Sequence, residues 1–312
     1  MKKLWNKLRG FAEDGTLRAA LKTPLAAAVV VGALCAIPFQ IAYGMTGRRS
    51  QKVRDFFMNR AADLTSIKVE FNEKSAPLME HNAIFGIKHV ARADAFVVPH
   101  MPNSDFMMTD HFFKTPVVGP ILKIAAESAG FIPTSQTQDN KKRDLGIVIG
   151  RLNRGINPSL FPEGTCPGAE MLEWSKGTLE PLFGEAGIDK NGKEVFLDNP
   201  DTVAFQPIAL RVKSIDGEDV LHAPEKWGKY SMILDKRPIV PSRIFDRMKA
   251  KEIVLDLYPL EPLYAKNFNS AADMANEAHK RVREIVNPNQ SETRRRKEFL
   301  EWRDGAPHQT YW

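Results

Sequence analysis

Two histidines in the stretch Lys88-His89-Val90-Ala91-Arg92-Ala93-Asp94-Ala95-Phe96-Val97-Val98-Pro99-His100-Met101-Pro102-Asn103-Ser104-Asp105 are each followed five residues later by an aspartate. An imidazole that titrates near neutral pH beside a carboxylate has the chemistry of a general base. The ring takes the proton, and the aspartate fixes its tautomer and stabilises the imidazolium. Aspartate makes up about a twentieth of ordinary sequence, so about one chain in three with seven histidines meets this spacing without any function. The pairs His89/Asp94 and His100/Asp105 therefore have to be separated by their surroundings.

The apolar run Ala83-Ile84-Phe85-Gly86-Ile87 reads as a buried strand that delivers His89 to its carboxyl end, where ligands bind in open α/β sheets. Asp94 then falls in the first turn of a helix over 92–98, where the helix dipole favours a carboxylate. Pro99 and Pro102 bracket His100, which places it in the turn ending that helix, and Asp105 opens the next strand. This favours His89 with Asp94 and leaves His100 as a helix-end or loop histidine. Further along stands Phe161-Pro162-Glu163-Gly164-Thr165. At average residue usage its first four residues recur by chance in only about a few chains per thousand of this length, although a strand-ending turn has the same composition.

Other short apolar runs read as strands over 67–71, 106–109, 131–134, 158–161, 203–212 and 252–258. Helical patterns lie at 51–64, 117–128, 140–152 and 270–286, the last behind a plausible N-cap, Ser270. The alternation predicts an α/β fold, a single domain with a mixed, largely buried sheet flanked by helices. Asn191-Gly192 and Asn199-Pro200 mark residues 187–202 as an exposed insertion or hairpin. The expected organisation is an N-terminal membrane-associated helical region over 1–64, the main domain over 65–287, and a basic, aromatic tail over 288–312.

With 312 residues, 43% of them hydrophobic, the chain can build a sizeable core. Its formal charge of +6 favours anionic partners. No aromatic stripe or nucleic-acid module accompanies that charge, so nucleic acid is not expected as a partner. No charged residue occurs from Thr23 to Gly47, a run about as long as the ~20 residues that cross a bilayer. Gly32, Pro38 and Gln40 interrupt it, so a span, a re-entrant or interfacial hairpin, a signal peptide and a buried helix all remain open. The tail Arg294-Arg295-Arg296-Lys297 with Phe299, Leu300 and Trp302 suits either a lipid-facing anchor or a solvated end. Two distant cysteines, Cys35 and Cys166, make neither a disulfide framework nor a zinc site, in keeping with a reducing, cytoplasmic setting for the folded part.

A histidine and aspartate at this spacing followed downstream by Phe161-Pro162-Glu163-Gly164-Thr165 resembles the glycerolipid acyltransferase family, the lysophosphatidate acyltransferase-like enzymes. The stretch from Phe106 to Thr115-Pro116-Val117-Val118-Gly119 resembles that family's strand and its P-x-x-G exit. Gly130-Phe131-Ile132-Pro133-Thr134-Ser135-Gln136 resembles its G-x-I-P-V-D-R motif, and Trp174-Ser175-Lys176-Gly177-Thr178 and Phe205-Gln206-Pro207-Ile208-Ala209 resemble two later segments. The likeness runs from about Ile67 to Val212 and aligns the family histidine with His89.

The resemblance implies an O-acyltransferase of phospholipid biosynthesis that moves a fatty acyl group from acyl-CoA or acyl carrier protein to a lysophosphatidate-like acceptor. His89 and Asp94 would be catalytic, and Glu163, Gly164 and Thr165 would form the acceptor pocket. Lys176 would contact phosphate, unless it is simply solvated. No metal and no bound cofactor is implied, and a membrane lipid or lysophospholipid is the expected partner. Three departures qualify this: Lys88 replaces a frequent asparagine, Ala91 a frequent serine or threonine, and Gln136 a phosphate-binding arginine. Phosphate affinity would then fall to Lys141, Lys142, Arg143 or Lys176, or the acceptor would be glycerol phosphate, a lysophospholipid or an acyl-amino-acid lipid. A non-catalytic lipid-binding relative and an acyl-carrying Cys166 also stay open.

Overall fold

In the computed structural model, the described residues are 15–45, 50–90, 92–109, 118–134, 140–168, 170–223, 226–227, 247–290, 293–295, 297–298 and 301. The large sheet contains strands β1 (Ile67–Phe71), β2 (Ala83–Ile87), β3 (Ser104–Thr109), β4 (Phe131–Thr134), β5 (Asn157–Leu160), β8 (Ala204–Ile215) and β10 (Ile253–Pro259), in the order β1-β10-β8-β2-β5-β3-β4. Short strands β9 (Glu218–Asp219) and β11 (Leu263–Tyr264) add to β8, while β6 (Gly187–Ile188) and β7 (Glu194–Val195) make a separate hairpin. Strands β8, β2, β5, β3 and β4 pair parallel in that order, and β10 meets β8 antiparallel. The mixed, helix-flanked α/β sheet expected from the alternating pattern is therefore present.

Every residue of β2 and β5 is buried, as befits central strands covered on both faces. Strand β8 continues to Ile215, three residues past its expected end, through a stretch that pairs with β9 and β10. Helices α3 (Val118–Ser128) and α4 (Lys141–Leu152) follow β3 and β4 in sequence. Helix α5 (Ala271–Val286) closes the fold with Ser270 at its N-cap, where Ser270 Oγ accepts the Asp273 N–H at 3.2 Å. The insertion over 187–202 carries the β6–β7 hairpin and is mostly exposed, as expected, with its base docked on α4. A Cβ on Gly146 of α4 would lie 2.1 Å from the Ile188 carbonyl oxygen, so the two backbones touch.

As far as Met45, the uncharged N-terminal run lies in one helix, α1 (Thr16–Met45), about 45 Å long, which continues unbroken through Gly32 and Pro38. No turn forms within it, so a hairpin inside this segment is not what the chain builds. Arg18 donates to the Lys249 carbonyl at 2.8 Å and Lys22 to Ser66 Oγ at 2.5 Å, while Ser128 Oγ donates to the Gln40 carbonyl at 2.7 Å. Both ends are thus tied to the domain, and α1 lies along it beside α2 (Gln51–Thr65). No helix among the described residues is long and apolar enough to cross a membrane. Of the C-terminal tail, Gln290 and Arg294 dock on the domain: the Gln290 side chain bonds both backbone groups of Met171 at 2.8 Å, and the Glu173 N–H reaches the Arg294 carbonyl at 3.1 Å. Arg296, Phe299, Leu300 and Trp302 lie outside the described residues.

One close contact sits directly behind the candidate site. A Cβ on Gly86 of β2 would come within 2.2 Å of the buried Phe205 ring on β8. Gly86→Ala is therefore expected to destabilise the protein by about 1–3 kcal/mol in denaturant titration, with part of the loss recovered when Phe205 is shortened to Leu.

Candidate active site

The parallel register brings the site together before any side chain is considered. Phe85 on β2 pairs with Ser159 on β5, and Gly86 with Leu160. Carried past the two strand ends, the same offset sets position 89 beside position 163 at the carboxyl edge of the sheet. Because β2 lies between β5 and β8, residues leaving its end are flanked by main chain on both sides. One of these contacts is the Lys88 N–H, which donates to the Ile208 carbonyl at 2.9 Å.

His89 Nδ1 lies 2.8 Å from Asp94 Oδ2, and the same oxygen accepts the Val90 N–H at 2.5 Å. Asp94 is fully buried in the first turn of the helix expected over 92–98, which is a 3-10 helix, Arg92–His100. Phe161 has left β5 and stacks on the imidazole with ring centroids 4.0 Å apart and planes within 7°, while Phe106 meets Phe161 edge-on. These rings fix the plane of the imidazole, and its side chain keeps 17% exposure. Burial works against the charged ring, but the influence of the Cys166 sulfur and of Asp94 outweighs it and pushes His89 up to about 10.

The remaining expected residues are placed unequally. Glu163 is buried and makes no approach to solvent. Its Oε1 and Oε2 each receive Lys88 Nζ at 3.0 Å, Oε2 also accepts the His89 N–H at 3.1 Å, and Oε1 the Leu172 N–H at 2.9 Å. Burial raises its pKa while Lys88 opposes that rise. Gly164 and Thr165 are half-buried in the loop beside the site, and Gly164 adopts φ +62°, a conformation that suits glycine. Lys176 is exposed, next to Ser175, whose N–H bonds the Pro162 carbonyl at 3.0 Å. Lys141 is engaged by Glu180 at 2.7 Å, and Lys142 and Arg143 are exposed. His100 lies at the far end of the 3-10 helix with its ring edge against Phe71, and Asp105 pairs with Arg151 at 2.8 Å rather than with His100. Ala91 and Gln136 lie outside the described residues.

Two partners of His89 were not anticipated. Cys166 reaches the ring, and Lys88 lies in the core instead of at the surface. The one advance sign of the second was the presence of lysine where asparagine is frequent.

Residues 66–187 match the Acyltransferase family. Among solved structures, the chain is similar to the 1-acyl-sn-glycerophosphate (LPA) acyltransferase PlsC from Thermotoga maritima. The identity is 16% over 94% of this chain and 99% of that one, with a TM-score of 0.48. No curated protein matches.

Because Asp94 and Cys166 both raise the His89 pKa, removing either should lower it. Titration of isotope-labelled histidine by NMR should show His89 in Asp94→Asn and in Cys166→Ala protonating at lower pH than in the wild type. By linkage, the wild-type contribution of His89 to stability is complete below its ordinary 6.5 and lost as pH rises through about 10, so in both variants that alkaline loss should begin earlier.

Proposed function

We propose, on the premise that residues 66–187 belong to the acyltransferase family, that this protein moves a fatty acyl group from acyl-CoA or acyl carrier protein to the free hydroxyl of a lysophosphatidate-like acceptor. The observation that carries this reading is the His89 Nδ1 to Asp94 contact of 2.8 Å at the carboxyl edge of the sheet. It leaves the second imidazole nitrogen available for a substrate proton. The acceptor hydroxyl gives its proton to that nitrogen of His89 as its oxygen attacks the thioester carbonyl. Collapse of the tetrahedral intermediate breaks the carbon–sulfur bond, and the proton on His89 passes to the departing thiolate. Asp94 holds the ring and stabilises the imidazolium throughout. Gly164 and Thr165 border the acceptor, and Lys176 offers a cation for its phosphate. No metal or bound cofactor takes part in this scheme.

A membrane-associated protein with its catalytic domain in the cytoplasm fits a lipid acceptor. In support, α1 and α2 expose Leu21, Leu25, Phe39 and Phe56, each more than half accessible. Apolar side chains on such helices suit the boundary between headgroups and acyl chains. A second reading, the same chemistry on a lysophospholipid, draws on the engagement of Lys141 by Glu180, which leaves less free positive charge beside Lys176.

The test is release of free thiol from a long-chain acyl-CoA, with and without lysophosphatidate, by detergent-purified protein. Acceptor-dependent release should fall about 100- to 10,000-fold in His89→Ala and stay near wild type in His100→Ala. Loss confined to His100→Ala would overturn the assignment of the base. Release with a lysophospholipid and not with lysophosphatidate would favour the second reading, and none with either acceptor or with an acyl carrier protein donor would leave a lipid-binding relative.

A further inference from the structure

Sequence resemblance assigns Glu163 to the acceptor pocket, yet its carboxylate and the Lys88 ammonium are both wholly shielded from solvent. We propose that Lys88 and Glu163 form a positioning pair that clamps the main chain of His89 from both sides, with neither side chain touching substrate. The kinetic arm of its test rests on the acyltransfer reading above, and the spectroscopic arm does not.

The clamp follows from where the hydrogen bonds go. Lys88 Nζ donates to Glu163, to the His89 carbonyl at 3.1 Å and to the Glu170 carbonyl at 2.8 Å, matching the three protons of an ammonium to three groups of acceptor. Glu163 receives the His89 N–H and the Leu172 N–H in addition to Lys88. His89 is therefore held at its N–H by the carboxylate and at its carbonyl by the ammonium. The ring between them is held by Asp94 and Phe161. The same pair joins three separate segments: the end of β2, the loop after β5, and residues 170–172, onto which the C-terminal Gln290 and Arg294 dock.

A purely stabilising role explains this poorly. Replacing a buried ion pair by apolar groups of similar volume often leaves stability unchanged or improved, so a charge pair here is not needed for a good core. Apolar groups could not fix the two peptide groups that flank a catalytic imidazole, where a misplacement of about 1 Å can lower the rate on the order of 100-fold.

The experiment compares wild type with Lys88→Met, Glu163→Gln, the double variant and Glu163→Asp. Each single charge removal strands a buried partner and should lower the melting temperature. The double variant should regain most of that loss while kcat stays on the order of 100-fold below wild type with KM little changed. Glu163→Asp keeps the charge but draws the carboxylate back by one methylene. It should fold and show the same split between kcat and KM, which covers the case of a double variant that does not fold. Recovery of kcat together with stability in the double variant, or wild-type kcat in Glu163→Asp, would overturn the proposal. Should the wild type transfer no acyl group to any acceptor, the acyltransfer reading fails and the NMR titration of His89 decides. A lowered His89 titration in Glu163→Asp supports the clamp, and an unchanged one overturns it.

Discussion

An ammonium and a carboxylate without access to water must find all their hydrogen bonds inside the protein, and this demand governs the neighbourhood of Lys88 and Glu163. Either charge left alone in the core would be strongly destabilising, so the segments that supply their partners have to arrive together. Those segments are the peptide of His89, the Glu170 carbonyl and the Leu172 N–H. Loop 161–164 and segment 170–173 are thereby held by the same two groups that hold the candidate base. The loop carries little regular structure, and its order comes from this polar network and from the Ser175 N–H to Pro162 carbonyl bond.

The network depends in turn on a sheet whose central strands are parallel. Parallel neighbours end at the same edge, so residues that leave β2 and β5 emerge side by side without any special loop conformation. The close packing of Gly86 against Phe205 lets β2 sit tight beside β8, and the Lys88 N–H to Ile208 carbonyl bond carries the ladder one residue beyond the strand. His89 is thus the first residue free of the sheet. Its ring then turns toward Asp94, one helical turn away, and toward Phe161, the residue that follows β5.

Local chemistry was legible where it is local. The run from Ala83 to Ile87 is apolar throughout and forms the expected strand, and the spacing of His89 and Asp94 closes into the expected hydrogen bond. The dismissal of His100 from Pro99 and Pro102 also agrees with its place at a helix end against Phe71. What could not be read were contacts set by register across long separations. Lys88 meets Glu163 across 75 positions, and Gln290 meets Met171 across 119. A lysine in sequence suggests a solvated surface, and only the sheet register shows that this one faces a buried carboxylate. The same reasoning covers 187–202, whose turn residues mark a hairpin but carry no sign of the backbone contact between Ile188 and Gly146.

The electrostatics of His89 bear on how the proposed chemistry could start. A general base must be unprotonated when it acts, whereas Asp94 and Cys166 together hold the resting imidazole up to about 10. Asp94 cannot leave, since it is buried and tied to Val90 as well as to the ring. Cys166 is the influence that can change, since it lies in the same loop as Gly164 and Thr165, which border the proposed acceptor site. An acceptor that comes between this loop and the ring would remove one of the two influences that keep the proton on His89. The base would move toward its working range only when the group it is to deprotonate is in place, and the resting site would hold little free base to direct at water.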